Sequence, residues 1–344
     1  MRKSFMLLSV MAVFFMLSAC QLGVNTSDNV VTVFSERHYD TDRDLYERFT
    51  ELTGIQVNLV RDGADQLITK LQNEGEDSLA DVLIIADAGR LHRAKDMGLL
   101  QSIESEIIES NVPENYRDID SQWFGLTMRA RVFVYHPDRV DVNDLSTYEA
   151  LTEPQWQGRI VTRTSTNIYN QSLMASFIEI MGEEGARTFA QGLVANFARD
   201  PQGNDRDQAK AVVEGIADVA IMNTYYIGRM LHSEDPFERE VGETVRIFFP
   251  NQATTGTHVN VSAAGVTKYA PNKENAIKLI EFLTSIEAQS AYAGANFEYP
   301  VNPNVEPHDL LKSWGTFTPQ DIPLTVLGTN AFKATTLMNE VGWK

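Results

Sequence analysis

The chain has 344 residues and a formal net charge of −18 at pH 7, so its surface repels phosphate backbones and anionic lipid, which argues against nucleic acid as a partner. The length exceeds the size at which one hydrophobic core usually stops growing, which predicts two lobes. The single cysteine excludes an internal disulfide and a cysteine metal cluster.

The first twenty residues have the pattern of an export signal. Arg2 and Lys3 precede an apolar run at residues 5–17 that is too short to span a membrane comfortably. The tetrapeptide at residues 17–20 resembles a bacterial lipobox, which implies a signal peptide over residues 1–19, lipidation of Cys20 and a lipidated tether over residues 20–29. The alternative is an ordinary signal peptide with an incidental cysteine. Since no second apolar stretch of sufficient length follows, we expect an exported protein held to the membrane only through this lipid.

Strands and helices alternate three times at the start of the mature chain. Strand patterns occur at residues 30–35, 55–60 and 81–85, and helical spacing occurs at residues 42–53, 64–73 and 89–97. This alternation predicts an α/β fold with right-handed crossovers and a parallel sheet. Ligands of such sheets bind beyond the carboxyl ends of the strands, which places residues 36–40 and 86–89 at the rim of a site.

The middle of the chain predicts a second lobe. A long strand from residue 125, containing Arg129 and Arg131, is expected to cross between lobes, and a second long strand at residues 245–250 is a candidate return crossing. Between them we expect helices at 144–151 and 207–215, short strands at 158–162 and 218–222, and a helix after the loop at 164–172. Beyond residue 256 we expect a strand, a helix at 272–284, a turn at 299–303 and a mostly helical segment at 324–344. The simplest arrangement has residues 30–126 and 254–344 in the first lobe and 127–253 in the second.

Catalytic and nucleotide-binding motifs are missing from the sequence. It contains no glycine-rich phosphate loop, no dinucleotide fingerprint, no HExxH and no G-x-S-x-G. The six histidines are scattered without metal-ligand spacing, and nothing singles out a carboxylate pair for acid-base chemistry. We therefore expect a binding protein that is not an enzyme.

Tyrosines stand at three predicted strand-to-helix junctions, at positions that could converge between lobes. They are Tyr39, Tyr169 and the adjacent pair Tyr225 and Tyr226. A phenolate is a hard anionic oxygen donor that suits a small, highly charged cation. Ferric iron can displace phenol protons near neutral pH, although the pKa of a free phenol is about 10. Four phenolates around Fe3+ leave one negative charge, which Arg129 or Arg229 could neutralise.

These motifs resemble the periplasmic ferric-iron-binding proteins of ABC transporters, the transferrin-like type II binding proteins of the tyrosine-rich subtype. The resemblance covers almost the whole mature chain, from VTVFSERHYD through GRIVTRTSTNIYNQS and GIADVAIMNTYYIGRM to YPVNP and NEVGWK. It implies two lobes, each a mostly parallel sheet flanked by helices, joined by hinge strands. It also implies capture of Fe3+ in the interlobe cleft and delivery to an ABC permease and its ATPase for iron uptake.

The resemblance further implies the residues around the metal. His38 matches a position that is a ligand in some relatives and a neighbour of the ligands in others, so both roles stay open. Arg129 and Arg229 match basic positions near the metal. Some relatives have a glutamate ligand where this chain has Ala86-Asp87-Ala88, which makes Asp87 a candidate neighbour and favours a mainly phenolate site. The implied Fe3+ ligands are Tyr39, Tyr169, Tyr225 and Tyr226.

Three alternatives stay open beside this interpretation. The same fold could hold an organic cation, such as thiamine or a polyamine, in an aromatic cage of tyrosines. The chain could also be a lipid-anchored enzyme, or a structural or receptor-accessory lipoprotein whose cleft has lost its ligand. The preferred hypothesis is a monomeric periplasmic lipoprotein, or a cell-surface one where no outer membrane exists. It would close on Fe3+ by hinge motion, with Tyr39 on one lobe and the other three tyrosines on the second.

Overall fold

The computed structural model describes residues 29–344. The expected signal peptide, Cys20 and residues 20–28 of the expected tether lie outside the described residues. Within residues 29–344, no helix has the length and apolar character needed to cross a membrane.

The first part of the chain alternates strands and helices as the sequence pattern predicts. It forms β1 (Val30–Ser35), α1 (Asp40–Thr53), β2 (Gln56–Arg61), α2 (Ala64–Glu74), β3 (Val82–Ile85) and α3 (Ala88–Asp96). Then follow the short helix α4 (Glu106–Asn111) and the long strand β4 (Phe124–Tyr135). β1 pairs in parallel with both β2 and β3. Leu45 and Phe49 on α1 and Leu67 on α2 are buried, because apolar residues at helical spacing share the face that covers the sheet.

The next part forms a second α/β unit. It contains β5 (Ile160–Val161), α5 (Ile168–Ala195), α6 (Asp205–Val213), β6 (Val219–Asn223), α7 (Thr224–Leu231), α8 (Pro236–Thr244) and β7 (Arg246–Phe248). β5 and β6 are parallel neighbours. The helices that follow them, α5 and α7, therefore begin at the same edge of the sheet.

The remaining chain returns to the first sheet and ends on the second unit. It contains β8 (Val259–Val266), α9 (Lys273–Leu283), α10 (Ile286–Asn296), β9 (Tyr299–Pro300), α11 (Asp309–Ser313), α12 (Val326–Thr329) and α13 (Ala331–Glu340). α9 contacts β1 and β8, and α10 contacts α1. α12 packs against both α3 and α5, and α13 packs against α5. The C-terminal helices therefore connect the two parts of the molecule.

The crossing strand β4 joins two lobes. The strand order across the described residues is β2-β1-β3-β8-β4-β6-β5, with β7 and β9 also paired to β4. Residues 124–130 of β4 pair antiparallel with β8, and residues 131–135 pair antiparallel with β6. We call the side built on β1, β2, β3 and β8 the first lobe, and the side built on β5 and β6 the second lobe. The division of the sequence between lobes at residues 126–127 and 253–254 stays a prediction. The C-terminal helix α13, predicted as part of the first lobe, packs against α5 of the second.

Two predicted elements differ in the structure. The helix expected at residues 144–151 is instead a pair of short 3-10 turns, Val142–Asp144 and Glu149–Thr152. Two backbone N–H groups of this segment donate to side chains. The Tyr148 N–H donates to Asn251 Oδ1 at 2.8 Å, and the Ala150 N–H donates to Thr147 Oγ1 at 3.1 Å. These local bonds replace the helical hydrogen bonds.

The prediction of a long strand at residues 245–250 is also wrong, because the strand found there is shorter. β7 has three residues and pairs only with the last three residues of β4. Asn251 takes a left-handed conformation with φ of 62° and donates its N–H to the Ser146 carbonyl at 3.0 Å, so the chain turns away from the sheet. The return between lobes is made by the turn between β7 and β8.

Candidate metal centre

Three helix N-termini position the predicted tyrosines. Tyr39 follows β1 and is the N-cap residue of α1. Tyr169 lies in the first turn of α5, and Tyr225 and Tyr226 lie in the first turn of α7. The N-terminus of a helix carries partial positive charge and favours a nearby anion. All four tyrosines therefore lie at or within one turn of a helix N-terminus.

The four tyrosines line one cavity of about 200 Å³ between the lobes. The hydroxyl oxygens of Tyr169 and Tyr225 are 3.3 Å apart. The rings of Tyr225 and Tyr226 stack with their centroids 4.2 Å apart. Tyr39 faces them from the first lobe, and the structure therefore brings together all four phenols that the sequence singles out.

The two predicted arginines line the same cavity. The Arg229 guanidinium carbon is 4.7 Å from the Tyr39 ring centroid, and that of Arg129 is 5.5 Å from the Tyr169 ring centroid. Arg129 also donates to the Ala86 carbonyl on the first lobe. Both guanidiniums therefore place positive charge beside the phenols.

His38 and the tyrosine next to it both reach the cavity. His38 is exposed, and its ring lies 5.0 Å from the Tyr39 ring at a tilt of 36°. Its Nδ1 is 3.5 Å from the Glu36 carbonyl oxygen. This position lets the imidazole turn toward the cavity or toward solvent, so its role as a ligand or a neighbour stays a prediction.

Asp87 lies beneath the site and does not line the cavity. It is fully buried and caps α3 by accepting the Arg90 N–H at 2.9 Å. It also accepts Ser172 Oγ–H at 2.8 Å and Asn260 Nδ2–H at 2.7 Å, and its Oδ2 is 4.0 Å from Arg129 Nη2. Because both of its oxygens are engaged, its geometry fits a structural anchor between the first lobe and α5 of the second.

Burial raises the pKa of three of the cavity tyrosines, Tyr39, Tyr225 and Tyr226. Burial raises the pKa of Tyr39 to about 12. Burial, together with the charge of neighbouring phenols, raises the pKa of Tyr225 well above its usual value, and burial likewise raises that of Tyr226. A cation that binds these oxygens must therefore displace protons.

An arginine cluster behind Tyr169 is one part of the site that the sequence alone does not predict. The guanidinium carbons of Arg131 and Arg163 lie 5.9 and 5.7 Å from the Tyr169 ring centroid, on the same ring as Arg129. Asp205, fully buried, binds Arg131 at 3.1 Å and Arg163 at 2.8 Å. The three guanidiniums on this ring, from Arg129, Arg131 and Arg163, outnumber the two carboxylates of Asp205 and Asp87. The cluster therefore has a net positive charge, which would offset the negative charge of phenolates around a cation.

One signal for this cluster was available in the sequence. Arg129 and Arg131 are two residues apart in one strand, and alternate residues of a strand face the same side. Nothing local indicates Asp205, because its partners lie on β4 and on the loop after β5.

The chemistry of the donors agrees with a phenolate site. Within residues 29–344, no group of three or more His, Cys, Asp or Glu side chains could hold a metal ion. Glu36 and Glu298 also line the cavity, but each carboxylate is paired with an arginine: Glu36 with Arg90 at 3.0 Å and Glu298 with Arg37 at 3.0 Å. The tyrosine oxygens are therefore the main candidate ligands for a cation. The fifth and sixth positions around it would be open to His38, water or a small anion.

Comparisons with known proteins point the same way. A family model described as bacterial extracellular solute-binding protein matches residues 77–321. The Iron uptake protein A1 of Synechocystis sp. is 50% identical over 314 residues, which cover 91% of this chain and 87% of that protein. A Trichodesmium protein solved in complex with iron and citrate has 47% identity and a TM-score of 0.90, covering 92% of this chain and 100% of that one. A ferric binding protein from Campylobacter jejuni has 39% identity and a TM-score of 0.86, covering 91% and 100%.

Proposed function

The chain belongs to the family of bacterial extracellular solute-binding proteins, and from this premise we propose that it captures Fe3+ in its interlobe cavity for uptake by an ABC transporter. One observation carries the proposal: four phenols, delivered by three helix N-termini from two lobes, line a single cavity. The similarity to iron uptake and ferric-binding proteins over more than 90% of the chain supports the same cargo.

The size and chemistry of the cavity favour a metal ion over an organic cation. Its volume of about 200 Å³ is below the range of about 300–1,000 Å³ that is typical of sites for drug-sized molecules. Four arginines are among the residues that line it, and their positive charge opposes the binding of an organic cation. The relatives described above are named for iron, and the thiamine or polyamine alternative has no comparable support.

Binding of the metal would proceed by exchange of protons for Fe3+. The phenols of the second lobe, Tyr169, Tyr225 and Tyr226, would hold the ion first, since their helices α5 and α7 begin at the same edge of the sheet. Closure would then add Tyr39 from the first lobe, so the metal favours the closed state through a bond that only this state completes. The guanidiniums of Arg129 and Arg229 would offset the negative charge of four phenolates around a trivalent ion. The process is capture and release without turnover of a substrate.

The partners follow from the family. A periplasmic solute-binding protein of an ABC iron transporter delivers its cargo to a permease driven by an ATPase. We extend this to a monomer anchored through a lipid on Cys20, which the lipobox-like residues 17–20 support. In an organism without an outer membrane the same anchor would hold the protein at the cell surface.

Visible absorption tests the proposal. Ferric nitrilotriacetate is titrated into the purified domain that begins after Cys20, beside a double variant Tyr225→Phe, Tyr226→Phe and a control Tyr269→Phe. Tyr269 is a matched control because its side chain is 45% exposed and lies outside the cavity. We expect a saturating one-to-one charge-transfer band in the parent and the control, and its loss in the double variant.

Other results would contradict iron capture or favour another ligand. A parent protein that forms no band, or a double variant that retains the full band, would overturn iron capture by phenolates. A thermal shift on adding thiamine or a polyamine in place of the band would favour the organic-cation alternative.

A further inference from the structure

The two residues between α10 and β9, Phe297 and Glu298, contact both lobes. Phe297 ends α10 in a left-handed conformation with φ of 55° and ψ of 35°, which is unusual for a bulky residue. Its side chain is nevertheless buried, at 6% exposure. A strained backbone persists only where the surroundings hold it in place, so this residue has packing partners that compensate the strain.

The Phe297 ring packs on α7, the helix that presents Tyr225 and Tyr226. It stacks on the His232 imidazole with centroids 4.5 Å apart and planes at 27°. A Cβ built on Gly228 would lie 2.5 Å from the Phe297 Cβ, so only glycine permits this approach. Phe297 thereby fixes the distance between α7 of the second lobe and α10 of the first.

The next residue, Glu298, holds the arginine that underlies Tyr39. Its buried carboxylate accepts from Arg37 Nη2 at 3.0 Å and Nη1 at 3.4 Å, and from Thr127 Oγ1 at 2.8 Å. Arg37 Nη1 also donates to Ser262 Oγ at 3.0 Å. Thr127 lies on β4 and Ser262 on β8, so Arg37 is tied to the crossing strand and to its neighbour in the first lobe.

Arg37 holds Tyr39 through both its ring and its backbone. The guanidinium carbon is 5.1 Å from the Tyr39 ring centroid. Arg37 Nε donates to Asp42 Oδ1 at 3.0 Å, and Asp42 Oδ2 accepts the Tyr39 N–H at 3.3 Å. The orientation of the one phenol on the first lobe thus depends on Arg37, and through it on Glu298.

We propose that Phe297 and Glu298 form a latch that makes lobe closure and completion of the metal site a single event. Phe297 docks against Gly228 on the helix of Tyr225 and Tyr226, while Glu298 holds Tyr39 through Arg37. The inference rests on the proposed iron function. Phe297, Glu298 and Arg37 are positioning residues: their role is to slow the release of the cargo by holding the ligands of both lobes in register.

A double-mutant cycle tests the latch. Iron-loaded Gly228→Ala, Phe297→Gly and the double variant are mixed with excess EDTA, and release is followed by the decay of the charge-transfer band. We expect each single variant to release iron about tenfold faster than the parent, a size typical of coupled contacts. Gly228→Ala should add less than about twofold in the Phe297→Gly background, because glycine lacks the Cβ that the new methyl group would clash with. The wavelength of the band should not change, since the four phenols are untouched.

Controls separate a latch from a general loss of stability. Phe332→Ala removes a phenylalanine that is 81% exposed and should release iron at the parent rate. Glu298→Gln keeps the volume of the side chain but removes its charge, and it should accelerate release while Phe297 stays in place. Small-angle scattering of each loaded protein should show a more open average shape for the latch variants than for Phe332→Ala.

Two outcomes would overturn the latch while iron capture stands: release rates of the single variants equal to that of the parent, or independent effects of Gly228→Ala and Phe297→Gly that multiply in the double variant. A parent protein that forms no ferric band would instead refute the proposed function. The two failures are therefore distinguishable in one set of samples.

Discussion

Raising the pH should strengthen iron binding, because each ligand phenol exchanges a proton for the metal. Burial raises the pKa of Tyr39 to about 12 and also raises the pKa of Tyr225 and of Tyr226, so these phenols are protonated in the metal-free protein at pH 7. Each pH unit below a pKa adds about 1.4 kcal/mol to the cost of ionisation, which makes the cost for Tyr39 alone about 7 kcal/mol at pH 7. As the pH falls, protons compete more strongly and affinity declines.

Proton counting measures this exchange directly. Ferric nitrilotriacetate is added to weakly buffered protein in a pH-stat, and the base needed to hold the pH is corrected for the protons that the freed chelator binds. We expect about four protons per iron in the parent protein and about one fewer in Tyr39→Phe, since each ligand must be deprotonated to bind the metal. Tyr269→Phe, a change outside the cavity, should give the parent count. The conditional affinity should fall about tenfold per pH unit for each phenol that ionises.

A count near zero in the parent would refute the reasoning, because it would mean that the phenols are not ligands or are already ionised. A count that Tyr39→Phe leaves unchanged would exclude Tyr39 from the ligand set and would remove the argument that the metal joins the two lobes.

Three further predictions concern the surroundings of the site. Asp205→Asn leaves Arg131 and Arg163 without their buried carboxylate, so denaturant unfolding should show a free energy of unfolding lower by about 3–5 kcal/mol. The control Asp200→Asn, at an exposed ion pair, should lower it by less than about 1 kcal/mol. No difference between the two would mean that the buried cluster is not an energetic anchor. Arg229→Gln should raise the iron Kd about tenfold in competition titrations, because it removes a charge beside four phenolates; an unchanged Kd would contradict this electrostatic role. Cys20→Ser should move the protein from the membrane fraction to the soluble fraction, and persistence in the membrane would exclude lipid anchoring through Cys20.

The sequence alone determined the local elements and the identity of the ligand candidates. Hydrophobic periodicity is a local property, so it predicted the alternation of β1, α1, β2, α2, β3 and α3 to within a few residues. The tyrosines could be singled out because each follows a strand pattern and begins a helix, and parallel strands bring such junctions to one edge. The resemblance to ferric-iron-binding proteins rested on these same positions.

Only the tertiary structure decided which distant residues support the phenols. Arg37 and Glu298 are 261 positions apart, and neither local periodicity nor residue type indicates that they form an ion pair under Tyr39. The same holds for Asp205, whose charge is shared by Arg131 and Arg163. The two elements predicted wrongly, at residues 144–151 and 245–250, meet around Asn251, whose side chain and backbone hydrogen bonds depend on how the chain returns between lobes. Periodicity reports which face of an element is buried, but pairing of buried polar groups depends on topology, because those groups must find partners wherever the fold brings them.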